Sequence, residues 1–173
     1  MADGGRNNFH GQECNCCRRN AYGVEQSLEE MDFHRSLGSA SMTGDLERME
    51  RLISKGVDVN AEDASGYAPL RYASRNGHVR ACSLLLKNGA LVNKKTRGGQ
   101  ATSLHRAAYA GHEKVVKILI DTGADPCAQD SDGCTALHKA VFQGHHGIVN
   151  LLMNTSTKIS EIRDNKGLLP RDY

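Results

Sequence analysis

Tryptophan is absent from this chain of 173 residues, only 5% of it is aromatic, and it holds just three prolines. A core organised around large aromatic side chains is therefore excluded, and thin layers filled by Leu, Ala and Val are what remains. No run of about 18 apolar residues occurs, which excludes a spanning helix of the usual kind. Met1 to Gln12 is polar and rich in Gly and Asn, with no apolar segment of the secretory type. The formal net charge of +2 is too small to make the whole chain a polyelectrolyte. Catalytic signatures are missing as well. There is no Gly-rich phosphate loop before a helix, no G-x-S-x-G elbow and no H-E-x-x-H, and the acidic residues are scattered. The expectation is a non-enzymatic protein without a cofactor, located in the cytoplasm, the nucleus or both. Six cysteines do not alter this. Cys82 falls on an apolar stripe, Cys127 and Cys134 stand singly in loops, and reduced thiols fit that distribution.

What the chain does have is repetition. Leu37, Leu70, Leu104 and Leu137 are spaced by 33, 34 and 33 positions, and Ala40, Ala73, Ala107 and Ala140 keep the same steps. Gly44, Gly77, Gly111 and Gly144 follow them too. A unit of this length reads as a turn plus two short helices. It is too small to bury its own apolar face and becomes stable only when stacked. In the second helix of each unit, Ala81-Cys82-Leu85-Leu86 corresponds to Val115-Val116-Leu119-Ile120 and to Ile148-Val149-Leu152-Met153. An i, i+1, i+4, i+5 set lies on one helical stripe, so all of these are expected in the core.

Individual letters recur in register. The second copy carries Asp63, Gly66, Pro69, Leu70, Ala73, Gly77 and His78, then Leu85, Leu86, Gly89 and Ala90; the fourth carries Asp130, Gly133, Thr135, Leu137, His138, Ala140, Gly144 and His145. This resembles the ankyrin repeat, D-x-x-G-x-T-P-L-H-x-A…G-H…L-L…G-A. The resemblance implies an all-α ankyrin-repeat solenoid of four helix-turn-helix repeats with β-turn fingers, plus a partial fifth repeat. It also implies a protein-binding surface in place of an active site. The chain divides accordingly into a polar tail at 1–24, a capping helix at 25–36 opened by Ser27-x-x-Glu30, and a repeat domain at 37–173. The repeats fall at about 33–62, 63–95, 96–129 and 130–163, with the partial unit at 164–173.

Departures from the pattern make local expectations. Gly66, Gly99 and Gly133 sit where a reversing chain needs positive φ. Gly99 to Leu104 is one residue longer than Gly66 to Leu70, so the third finger should be longer. The second copy has Ala68 and Arg71 where the Thr and His of the motif belong, so the hydrogen bonds between units should be weakest there. His105 with His112, and His138 with His145, occupy repeat positions and are read as structural, with the first of each pair bonded to a turn Thr. His10-x-x-x-Cys14-x-Cys16-Cys17 is a compact set of soft ligands, although adjacent Cys16 and Cys17 make tetrahedral closure awkward.

The register also locates a surface. Arg75 lies five residues after Leu70 and points away from the core at about 100° per residue. Equivalent positions give a ladder of Met42, Arg75, Tyr109 and Phe142, flanked by Asn76 and Gln143. In the family it resembles, such positions line a concave groove together with the finger tips, here including Tyr67, Arg97, Gln100, Ser131 and Cys134. Arg71, Arg75, Lys94, Lys95, Arg97, Arg106 and Lys139 cluster on that side, so an acidic protein partner is the natural complement, and nucleic acid is disfavoured by the lack of interleaved stacking aromatics. The resemblance further makes Asn60 and Asn93 candidates for asparaginyl hydroxylation, each with a Leu eight residues earlier, whereas a purely structural reading has them bonding their own turns. The favoured function is a monomeric scaffold or adaptor binding a protein through the groove. The alternatives are a stoichiometric inhibitor of a partner enzyme and a thiol or zinc sensor built on Cys14, Cys16 and Cys17.

Overall fold

Helices of seven to ten residues are too short to persist alone, and here they survive by packing in pairs. The computed structural model describes residues 36–173; the tail, the capping helix and the His10, Cys14, Cys16, Cys17 set lie outside the described residues. Four helix pairs follow one another. They are α1 (Leu37–Thr43) with α2 (Leu46–Ser54), α3 (Pro69–Arg75) with α4 (Val79–Lys87), α5 (Ser103–Ala110) with α6 (Glu113–Asp121), and α7 (Ala136–Phe142) with α8 (His146–Thr155). Two 3₁₀ turns at Thr157–Glu161 and Pro170–Asp172 complete the described chain, which contains no strand. First helices stack on first helices and second on second, so the molecule is an all-α solenoid two helices deep.

The repeated letters explain the stacking. Leu37, Leu70, Leu104 and Leu137 are at most 2% exposed, and Ala40, Ala73, Ala107 and Ala140 are fully buried where first helices meet. Met49, Leu85, Leu119 and Leu152 fill the layer between second helices. Met153, expected in the same stripe, is instead 45% exposed. Its counterparts Ile53, Leu86 and Ile120 are only partly buried. The buried stripe is therefore three residues wide in the second and third pairs and two in the fourth, where Val149 is also only partly buried, and past α8 the 3₁₀ turn covers the layer with Ile159.

Capping follows the sequence closely. Thr102 and Thr135 each receive a hydrogen bond at the start of a first helix, and His105 and His138 return the bond to the Thr N–H. Ala68 has no side chain to do so, and Pro69 opens α3 with no N–H to satisfy. In the fingers, one carboxylate oxygen of Asp63 accepts from the N–H groups of Ser65 and Tyr67, both at 2.9 Å. Asp130 and Asp164 do the same in theirs.

The third finger differs. Thr96 stands where the others have Asp, and the turn closes one residue later, Gln100 N–H to Thr96 O at 3.0 Å. The longer loop moves the left-handed step: Gly66 and Gly133 have φ of 74° and 75°, but in this finger Gln100 carries the positive φ, at 50°, and not Gly99. Gly99 instead offers its carbonyl to the Ser131 N–H of the next finger at 3.0 Å. Asp132 O receives Asn165 N–H in the same way, so adjacent fingers are laced together. The fifth unit is present as a finger plus one helical turn, with Leu169 buried and Tyr173 bonded to Asp164.

Candidate functional site

The ladder positions stand on the outer faces of successive first helices, the faces expected to line a groove. Met42 is 37% exposed, Tyr109 47% and Phe142 61%, with Arg75, Asn76 and Gln143 also exposed. Phe142 does touch a neighbour, since the Tyr173 ring stands edge-on to it at 6.0 Å between centroids. That contact leaves most of its surface open. Tyr109, Phe142, His138 and Tyr173 line a cavity of about 340 Å³ at the far end of the groove.

The backbone beneath this ladder is pinned by the histidines of the G-H pairs. His78 Nε2 donates to Met42 O at 3.0 Å, His112 Nε2 to Arg75 O at 2.9 Å, and His145 Nε2 to Tyr109 O at 3.2 Å. Each ring thus reaches back one repeat to a ladder carbonyl. The Gly of the repeat before is what makes room: a Cβ on Gly111 would lie 2.7 Å from the His145 ring, and one on Gly77 would lie 2.6 Å from His112. Sequence spacing gives no sign of these bonds, because the acceptors lie 36 or 37 residues away. Asn76 also differs from a free contact residue, since its amide donates to Met42 O at 2.7 Å.

His105 and His138 behave as read, bonded to Thr102 and Thr135, and their other nitrogens reach forward to Cys134 O at 3.0 Å and Leu168 O at 3.4 Å. Nδ1 accepts from the Thr N–H, so both rings are neutral with the proton on Nε2. Burial lowers the pKa of each, and the carbonyl at Nε2 offsets only part of that. Neither ring is available to a metal. Among the described residues no group of three or more His, Cys, Asp or Glu side chains is arranged to hold one.

The finger residues are mixed. Arg97 and Gln100 are exposed, but Cys134, expected at a tip, is only 6% exposed because it lies at the inner end of its turn. Burial raises its thiol pKa, as it does that of Cys82, which is pushed up to about 11. Tyr67 is half-buried and carries the Arg71 guanidinium over its ring, 3.5 Å from the centroid.

Much of the expected basic stripe is neutralised locally. Glu62 takes both Lys94 at 3.0 Å and Arg97 at 2.8 Å, and Lys139 is held by Asp130 at 2.8 Å. Arg71 is a different case, at 6% exposure, with its Nε and Nη1 buried and unpartnered; Arg106 Nε is also buried without a partner. Burial, then the neighbouring Arg106, lowers the pKa of Arg71, and Arg75 adds to the effect.

Asn60 and Asn93 do not bond only within their own turns. Asn60 donates to Gly89 O at 3.0 Å and accepts from Leu91 N–H at 2.8 Å; Asn93 donates to Gly123 O at 3.0 Å and accepts from Asp125 N–H at 2.8 Å. Each is a two-point staple to the next repeat. Cys127 occupies the same position in the third copy and makes no such side-chain bond.

Comparison with known proteins agrees with this architecture. The family described as Ankyrin repeats (3 copies) matches residues 12–96, 37–130 and 94–166. Ankyrin repeat domain-containing protein 39 from Homo sapiens is 46% identical over 116 residues, covering 66% of this chain and 45% of that protein. Its Bos taurus counterpart is 48% identical over 54 residues, 30% of each chain. The matched stretches thus span less than half the length of either relative. Among the described residues no helix is long and apolar enough to cross a membrane. With four helix pairs, laced fingers and the repeated motif letters all in one register, the chain belongs to the ankyrin repeat family.

Proposed function

We propose that this ankyrin array is a non-enzymatic scaffold or adaptor that binds a protein partner across the groove lined by Met42, Arg75, Tyr109 and Phe142. The supporting observation is the combination of exposure and rigidity. Tyr109 and Phe142 leave 47% and 61% of their surfaces open while the helices that carry them are fixed by buried Leu104, Ala107, Leu137 and Ala140. Large aromatics on a rigid frame lose little side-chain entropy on binding and supply most of the affinity at such interfaces. Ankyrin repeats generally mediate protein association, which agrees with the geometry. The protein acts as a monomer, each copy offering one groove. It works in the cytoplasm or the nucleus, where thiols such as the buried Cys82 and Cys134 stay reduced.

The test is affinity capture from cell extract with three baits: wild type, Tyr109→Ala/Phe142→Ala, and Lys114→Ala/Lys117→Ala on the exposed face of α6. Circular dichroism melts establish that all three fold. A partner held by wild type and by the lysine variant, but reduced about 30-fold or more by the aromatic variant, supports the groove. Equal retention on all three baits refutes it.

A further inference from the structure

One position in the fingers is filled three times and vacant once. In three fingers an Asp closes the turn with one carboxylate oxygen and offers the second to a side chain nine residues on: Asp63 to Tyr72, Asp130 to Lys139, and Asp164 to Tyr173. The third finger has Thr96 in that place, and the residue at the receiving position is Arg106. Thr96 Oγ1 closes the turn by accepting from Ala101 N–H at 3.2 Å, but it has no second oxygen to give. Arg106 is left with a buried, unpartnered Nε.

Beside it stands Arg71, in the place where the third and fourth repeats carry His105 and His138. Those neutral histidines find backbone carbonyls; Arg71 brings a fixed positive charge, buried to 6% exposure, with Nε and Nη1 unpartnered. Tyr67 supports it through the ring face only. Arg75, exposed on the groove ladder, is close enough to act on Arg71 electrostatically. Among the described residues no carboxylate pairs with Arg71, Arg75 or Arg106. A buried charge without a counter-charge is costly unless something else supplies one. The small cavity that Arg71 lines with Lys94, Lys95, Thr96 and Ser103 is about 10 Å³, room for at most one water, and it brings lysines and no carboxylate.

Resting on the proposed groove as the partner-binding face, we infer that Arg71, Arg75 and Arg106 form a carboxylate-binding site, occupied by a Glu or Asp side chain of an acidic segment of the protein partner. Arg71 is the fixed charge at the floor, and Arg106 with Arg75 provides the donors at the rim. Guanidinium groups match a planar carboxylate with paired N–H bonds. A carboxylate is also what the same repeat position holds in three other units. The incoming side chain thus replaces the finger Asp that this repeat lacks.

The probe is a fluorescein-labelled Gly/Ser peptide carrying four glutamates, with a matched peptide carrying four glutamines and a third carrying one phosphoserine. Binding is read by anisotropy at low salt. Wild type is expected to bind the Glu peptide at least tenfold tighter than the Gln peptide. Arg106→Gln should reduce that ratio to near one, and so should Thr96→Asp, which restores the repeat's own carboxylate opposite Arg106. Thr96→Asp keeps the test decisive if Arg106→Gln fails to fold. The inference is overturned if wild type does not distinguish Glu from Gln, if Thr96→Asp and Arg106→Gln both leave the ratio unchanged, or if only the phosphoserine peptide binds. Tyr109→Ala/Phe142→Ala should weaken capture of the whole partner but keep the Glu-to-Gln ratio, so failure of the aromatic groove and failure of this site are separate results.

Discussion

Gly111→Ala tests whether the glycine of one repeat and the histidine of the next are matched beneath the ladder. Gly111 ends α5 with φ of 81°, a left-handed conformation that costs an L-residue about 1–2 kcal/mol. The new Cβ would also lie 2.7 Å from the His145 ring, so the ring must move. Moving it breaks the 3.2 Å bond to Tyr109 O, worth about 1 kcal/mol. The two effects together come to about 2–3 kcal/mol. Gly89→Ala is the control, since Gly89 has φ of 87° with nothing within 4 Å of its Cβ position, and it should cost only the backbone share. Because the chain has no tryptophan, unfolding is followed by circular dichroism at 222 nm in urea. The excess of Gly111→Ala over Gly89→Ala should be about 1 kcal/mol, or roughly 3 °C in Tm for a domain of this size. Adding His145→Ala should remove the steric part, so the double variant should fall short of the sum of the singles. Equal costs for the two glycine variants, or strict additivity with His145→Ala, would refute the claim that ring and glycine are matched.

Two further perturbations address other parts of the structure. His105 and His138 have pKa values lowered in the fold, so the folded state binds fewer protons than the unfolded chain near pH 6 and stability rises with pH. Their contribution is complete above the unfolded value of 6.5 and is lost as pH falls toward the folded values. The slope is at most about 1.4 kcal/mol per pH unit for each ring. Urea midpoints between pH 7.5 and 5.5 should fall for wild type and flatten for His105→Gln/His138→Gln; an unchanged slope in the double variant would assign the dependence elsewhere. Asn93→Ala removes both bonds to the next repeat, at 3.0 and 2.8 Å, and should cost about 1–2 kcal/mol by urea unfolding, whereas Asn150→Ala on the exposed face of α8 should cost less than about 0.5 kcal/mol.

The repeating Leu, Ala and Gly positions determined the helix pairs, the core layers and which first-helix residues face outward. Period and side-chain size are enough for this, because each unit can bury its apolar face only against another like it. Met42, Arg75, Tyr109 and Phe142 were legible for the same reason: the register that buries Leu70 and Ala73 turns the residue five positions after Leu70 outward. Met153 shows the limit of that reasoning, since periodicity gives a stripe but not its width at the last helix pair. Partners in neighbouring repeats were not legible either. The histidine bonds to ladder carbonyls and the Asn60 and Asn93 staples join residues 29 to 37 positions apart, and only stacking brings them within reach. The basic stripe was visible as composition, yet its meaning was decided in three dimensions. Glu62 and Asp130 neutralise Lys94, Arg97 and Lys139, while Thr96 in place of an Asp leaves Arg106 beside a buried Arg71 with no carboxylate between them. Charge in a sequence is a sum, but its pairing depends on distances of 3 to 4 Å that tertiary packing sets.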